Sequence, residues 1–221
     1  MLEAMIEAVG EVGYTAASVG EVLERAGTAR QSFYNEWANR EACFVEAHRQ
    51  AIGEFADRVV EAGSDAASWR AGLRAAMTRA LELVIADPSR ARALFIEVHC
   101  CRPALPAYYE TLDRFATELD RGREDGQGVE PEPPLRTGAI VVGGLEQIIR
   151  VEVIEGASEN AWRILPELMH FAVLPYLGPQ AAQAELASAP LAPPRPAAGD
   201  RRTEGDKPMP AANGDRHGDP S

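Results

Sequence analysis

Residues Ser18–Phe44, SVGEVLERAGTARQSFYNEWANREACF, decide how this chain folds. Ser18-Val19-Gly20-Glu21 is a capping box, in which the serine oxygen takes a free N–H of the first turn and Glu21 reaches back. Val19, Val22, Leu23 and Ala26 recur at i, i+3, i+4 and i+7, so one face of a two-turn helix is apolar. Gly27 stops it, because the residue there must take a left-handed conformation that glycine adopts cheaply. Thr28-Ala29-Arg30-Gln31 repeats the capping pattern and predicts a second helix running to about Trp37. Helix, short glycine turn, helix is the helix-turn-helix arrangement, whose second member can enter a DNA major groove.

Outward from this stretch, every strong periodicity is helical. Leu2, Met5, Ile6 and Val9 predict a helix over 2–12, closed by Gly13. Asn39 is set to cap a helix from Arg40 to about Glu61, with Phe44, Ala47, Ala51, Phe55 and Val59 inward. Ser68 restarts the pattern through Trp69, Leu73, Met77, Ala80, Leu81 and Val84. Asp87-Pro88 opens another helix, with Leu94, Phe95, Val98 and Cys101 as its apolar face. Past Pro103 and Pro106, a helix carries Tyr108, Leu112, Phe115 and Leu119.

The charged, glycine- and proline-rich run 120–134 predicts an exposed loop. Residues 135–155 then form an unusually apolar helix interrupted by Gly138, Gly143 and Gly144. A mid-helix glycine costs about 1 kcal/mol relative to alanine, which close approach of another backbone would offset. A last helix, about 160–177, aligns Leu165, Leu168, Met169, Ala172, Val173 and Tyr176. Two such helices from each of two subunits can close a four-helix bundle, and an ordinary core within one chain accounts for the stripes equally. From 188 to 221, seven prolines and four glycines with almost no large apolar residue predict a disordered tail. The fold class is therefore all-α, with a head over 1–52, a helical body over 53–180 and the tail over 188–221.

Composition narrows the function. Hydrophobic residues make up 46% of the chain, ample for a core, and no apolar run is long enough to span a bilayer. The N-terminus lacks the charged and apolar regions of a signal peptide. Three cysteines, Cys43, Cys100 and Cys101, cannot all pair internally, so a reducing cytoplasm is the expected compartment. The net charge of −12 opposes nucleic acid at long range, and residues 1–52 hold four arginines against eight glutamates. Where those charges face decides whether a head of this composition can grip DNA.

Gly13-Tyr14, Ser18-Val19, Ala26-Gly27, Ser32-Phe33-Tyr34, Trp37, Arg40-Glu41-Ala42 and Phe44 together resemble the tetracycline-repressor (TetR) family of bacterial regulators. The signature covers roughly the first fifty residues, and Val141–Gly178 resembles the C-terminal dimerisation helices of actinobacterial members. The resemblance implies an all-helical homodimer that binds a palindromic double-stranded DNA operator. A small-molecule effector in the C-terminal domain would change the spacing of its two heads. Family members carry a basic segment before the first helix. Here the chain begins at Met1, so either the true start lies upstream or this protein lacks that arm.

By resemblance, Thr28, Arg30, Gln31, Ser32, Tyr34 and Asn35 face DNA, and Ser18 and Arg40 contact phosphates. Arg30 can bond guanine O6 and N7, and Gln31 or Asn35 can read adenine. Tyr34 would set its hydroxyl on a phosphate, while Phe33 and Trp37 read as core. Glu36 departs from the family's common histidine and needs a neutralising neighbour such as Arg40. For the effector, Trp69, Phe95, His99, Tyr109, Phe115 and Arg150 are the candidates, each weighed against plain core or surface packing. Gly143, Gly144, Ile148, Val151, Leu165, Leu168, Met169, Ala172 and Tyr176 are expected at the dimer interface. Adjacent side chains of His99-Cys100-Cys101 diverge by about 100° on a helix, a poor metal cage. Glu97 and Glu110 read as solvated faces. No metal, cofactor or enzymatic activity is expected, and no membrane partner. The rival reading, motivated by the acidic head, is a helical ligand- or partner-binding dimer that has lost DNA binding.

Overall fold

The computed structural model describes residues 1–126, 130, 132–154 and 162–188, the side chains of 152–154 excepted. The expected tail beyond Ser188, and residues 160–161 at the expected start of the last helix, lie outside them. Every regular element among the described residues is helical. The head comprises α1 (Leu2–Val12), α2 (Val19–Ala26), α3 (Arg30–Glu36) and the start of α4 (Arg40–Ser64). The body continues with α5 (Trp69–Ala86), α6 (Pro88–Phe95), α7 (Leu105–Asp120), α8 (Gly122–Asp125), α9 (Thr137–Ile154) and α10 (Leu165–Leu186).

Local chemistry sets most of these limits. Glu21 N donates to Ser18 Oγ at 3.2 Å while Ser18 N donates to Glu21 Oε2 at 2.7 Å, closing the capping box of α2. Gly27 sits at φ 60°, ψ 36°, the left-handed cap expected there. The second capping box does not form. Helix α3 starts one residue later than expected, with Ala29 at its N-cap and no side-chain cap, so Thr28 and Gln31 fall out of register for it. Asn39 caps α4, Ser68 caps α5 and Asp87 caps α6 through their side-chain oxygens. Helix α6 ends at Phe95, and two 3₁₀ turns, Glu97–Cys100 and Arg102–Ala104, carry Val98 and Cys101 into the core instead of one continuous helix.

Two apolar clusters hold the chain together. One joins α1 to α4 with α6, the 3₁₀ turns and Tyr108 of α7; the other joins α5, α7, α9 and α10. The head is therefore packed onto α6 rather than hung from α4 alone. The carbonyl of Ser89 occupies the place where a Cβ on Gly10 would stand, so α1 and α6 touch backbone to backbone. Gly138 likewise admits α7, a Cβ there lying 2.5 Å from Ala116 O.

Helix α10 runs past its expected end. It kinks at Gly178, whose φ of 78° is left-handed, and Pro179 restarts it. The second half is tied down by Glu185, fully buried and paired with both Arg70 and Arg74 of α5. The kink leaves the first half facing inward. Leu165, Leu168, Met169, Ala172 and Tyr176 are none more than 2% exposed within a single chain, so they are its own core and cannot form a dimer face. On α9 and the first half of α10, the exposed large apolar groups are Ile140, Ile148, Phe171 and Leu174. Gly143 lies among them with nothing within 4 Å of its missing Cβ, while Gly144 lies against the Phe171 ring. Val151 is half-buried.

Candidate functional site

The head turns α3 by its aromatic side. Phe33 is fully buried and Trp37 nearly so, their ring centroids 5.5 Å apart, and Trp37 Nε1 donates to Glu46 Oε2 at 2.7 Å. With that side locked inward, Arg30, Gln31, Ser32, Tyr34, Asn35 and Glu36 are all exposed, Tyr34 by 50%. Thr28 is half-buried at the turn. Arg30 has no ion-pair partner among the described residues, whereas Arg25 is committed to Glu11 at 2.5 Å. An exposed polar edge with an uncommitted arginine at its start is a surface that can enter a groove.

Two phosphate candidates stand differently from expectation. Ser18 is exposed, but its hydroxyl lies 2.9 Å from Glu21 Oε2 and serves the capping box. Arg40 does not face solvent freely. Its guanidinium lies over the Tyr14 ring at 4.5 Å and donates to the carbonyls of Tyr14 and Ala17, both at 2.5 Å. Those carbonyls close the α1–α2 turn beneath the first turn of α4, so Nη1 of Arg40 pins the head, and Arg40 makes no ion pair with Glu36. Glu36 has no cationic partner among the described residues.

Below the head, α4, α5, α7, α8 and α9 line a cavity of about 380 Å³ that opens to solvent. Its walls include Phe55, Val59, Leu73, Met77, Leu112 and Leu145, with Trp69, Phe95 and Phe115 from the expected effector residues. His99, Tyr109 and Arg150 do not line it. His99 is exposed on a 3₁₀ turn, and Tyr109, one step around α7 from the buried Tyr108, is 53% exposed. Arg150 bonds Gln147 and approaches Glu146 at 3.7 Å. Tyr108 donates instead, to Glu146 Oε1 of the wall at 2.6 Å. Burial, and the carboxylate beside it, push its phenol far up, so it stays a donor at any working pH.

One group was misjudged from sequence altogether. Glu97 is only 7% exposed; it accepts from Tyr14 N at 2.7 Å and from Arg92 Nε at 3.0 Å. It joins the end of α1 to the turn following α6. No sequence pattern separates it from the exposed Glu110, because its burial depends on a contact 83 residues away. Arg90 adds a second link between α6 and α1, reaching Glu3 at 2.5 Å.

His48 of α4 completes this layer, fully buried, with Nε2 donating to Leu94 O of α6 at 3.1 Å and Nδ1 unpartnered. Burial first, then the nearby His99, push its pKa below the ordinary 6.5. The unfolded chain therefore takes up a proton more readily than the folded one. The stability this neutral imidazole contributes is complete above about pH 6.5 and is lost as pH falls towards the depressed folded pKa. Thermal unfolding followed from about pH 7.5 to about pH 5.5 should show this loss, and His48→Gln should flatten that part of the slope.

Head and body together define a class of fold: a helix-turn-helix whose outward helix is braced by a helical body. Residues 1–47 match the sequence profile of the bacterial regulatory proteins of the tetR family. That match covers the head, the part of the chain that carries α3. It is similar to the fatty acid metabolism regulator protein of Bacillus subtilis, 22% identical over 138 residues, which span 59% of this chain and 71% of that one. Its fold is similar to that of the regulator FadR from Bacillus subtilis solved with stearoyl-CoA, at a TM-score of 0.68 and 17% identity, over 79% of this chain and 96% of that one. A regulator from Rhodococcus gives a TM-score of 0.62 at 20% identity, over 87% of this chain and 97% of that one.

Proposed function

We propose that this protein is an effector-responsive repressor acting as a homodimer on a palindromic operator, one head in each major-groove half-site. The observation that carries it is the orientation of α3: Phe33 and Trp37 inward, Arg30, Gln31, Ser32, Tyr34 and Asn35 outward. The dimer face is the stripe Ile140, Gly143, Ile148, Phe171 and Leu174, which leaves large apolar groups in water when the chain is alone. The resemblance of Val141–Gly178 to the dimerisation helices of actinobacterial members supports α9 and α10 as the dimerising helices and that subtype.

The cavity is the effector site. Its apolar walls suit an aliphatic body such as the chain of the stearoyl-CoA held by the Bacillus subtilis protein. Phe95 belongs both to the cavity wall and to the core shared with the head. An effector that displaces Phe95 therefore moves α6, and α6 moves α1 through Gly10–Ser89, Glu3–Arg90 and the Glu97–Tyr14 bond. Such an effector binds the spread-head state better and draws the population off DNA. No described helix is long and apolar enough to cross a membrane.

Band-shift titration against the flanking promoter, at several salt concentrations, tests the reading. Arg30→Ala should cost about 1–3 kcal/mol of operator affinity through a lost base contact, with little change on unrelated DNA. A shift that is absent at low salt, or equal on all sequences, would leave the rival reading of a helical dimer that no longer grips DNA.

A further inference from the structure

The wall of the cavity carries four carboxylates, Glu118, Glu124, Asp125 and Glu146, against one arginine, Arg121. Arg121 lies 2.7 Å from Glu118, so its charge is already answered. Four further arginines, on α5, α7 and α9, are committed as well. Arg150 serves Glu146 and Gln147, Arg70 and Arg74 serve Glu185, and Arg114 serves Asp57. Asp125 accepts from Trp69 N at 3.2 Å, and Glu124 stands exposed with no cationic partner among the described residues. A ligand entering here thus meets aromatic and aliphatic walls and, at the exposed mouth, Glu124 and Asp125, neither with a cationic partner among the described residues. Both carboxylates are exposed, so their preference for a cation acts at the mouth and weakens as salt is raised.

On the reading of this cavity as the effector site, we propose that the effector is a lipophilic amine. Its apolar body lies among Phe55, Trp69 and Phe115, and its protonated head faces Glu124 and the neighbouring carboxylates. A chain of the same length ending in phosphate is rejected by those carboxylates, which offer it no free guanidinium.

Three probes of equal chain length separate head from body: decylamine, decanol and decyl phosphate, each below its micellar concentration, titrated calorimetrically into the full-length protein. Decylamine should bind about tenfold or more tightly than decyl phosphate, with decanol between them and the gap narrowing as salt is raised. Glu124→Lys should shrink that gap several-fold and leave decanol unchanged. Decyl phosphate binding as tightly as decylamine, with Ala76→Phe abolishing both, would overturn the charge preference while leaving the cavity as the effector site. Failure of all three decyl compounds to bind, or binding untouched by Ala76→Phe, would remove the effector reading itself.

Discussion

Phe33→Ala should lower the stability of the head by about 3–5 kcal/mol and abolish operator binding. The ring is fully buried in the core formed by α1, α2, α4 and α6, and it packs edge-on to Tyr34 and against Trp37. Removing it leaves a cavity under a helix of seven residues that has no side-chain cap of its own. A helix this short does not persist without its packing, so the polar edge of α3 loses its orientation even if the rest of the chain stays folded. Trp37 fluorescence during thermal unfolding reports the loss, and band shift reports its consequence. Tyr34→Phe is the contrasting change. It removes only an exposed hydroxyl, should alter stability by less than about 0.5 kcal/mol, and should weaken binding to specific and unrelated DNA alike. Normal melting of Phe33→Ala would mean that α3 is held by something other than this ring.

Glu97→Ala should have the second-largest effect, and of a different kind. It strands the buried N–H of Tyr14, at a cost of about 1–3 kcal/mol, and it releases Arg92. The half-exposed Arg92 can return to water, so the ion pair itself adds little. The larger consequence lies in communication. Glu97 is the polar link between the end of α1 and the α6 segment that touches the cavity, and a Cβ on Gly13 would stand 3.3 Å from its carboxylate. Without it, operator affinity in the absence of effector should change modestly. The factor by which effector weakens DNA binding should fall towards one, from the roughly 5–150-fold usual for such coupling. Glu97→Gln keeps an acceptor for Tyr14 and loses the charge, so it should recover stability and most of the response. If Glu97→Ala keeps the full response, head and cavity communicate through the remaining links, Gly10–Ser89, Glu3–Arg90 and α4 itself.

Much of the head was legible because its determinants are local. The capping box at Ser18, the left-handed glycine at 27, the Asn39 cap and the spacing of Phe33 and Trp37 each act within a few residues, and the structure places each as expected. The exceptions share a cause. The predicted Thr28 cap failed because α3 begins after Ala29, a shift of one residue that a capping pattern cannot resolve. Arg40 was assigned to phosphate by resemblance, yet the turn at Tyr14–Ala17 folds beneath it and takes its Nη1 donors.

In the body the balance reverses. The amino-acid order alone determined that the chain is helical, where most of its helices start, and that one short helix presents a polar edge. Those properties follow from backbone caps and a period of 3.6 residues. Tertiary packing alone decided which of two apolar stripes on α10 is core and which is surface. Leu168 and Phe171 have the same chemistry, and only the rotation of the helix against α5, α7 and α9 separates them. Packing also buried Glu97 and spared Glu110, turned Tyr108 inward and Tyr109 outward, and gathered carboxylates from α7, α8 and α9 around one cavity. Such contacts join residues tens of positions apart, so their energies leave no periodic trace along the chain.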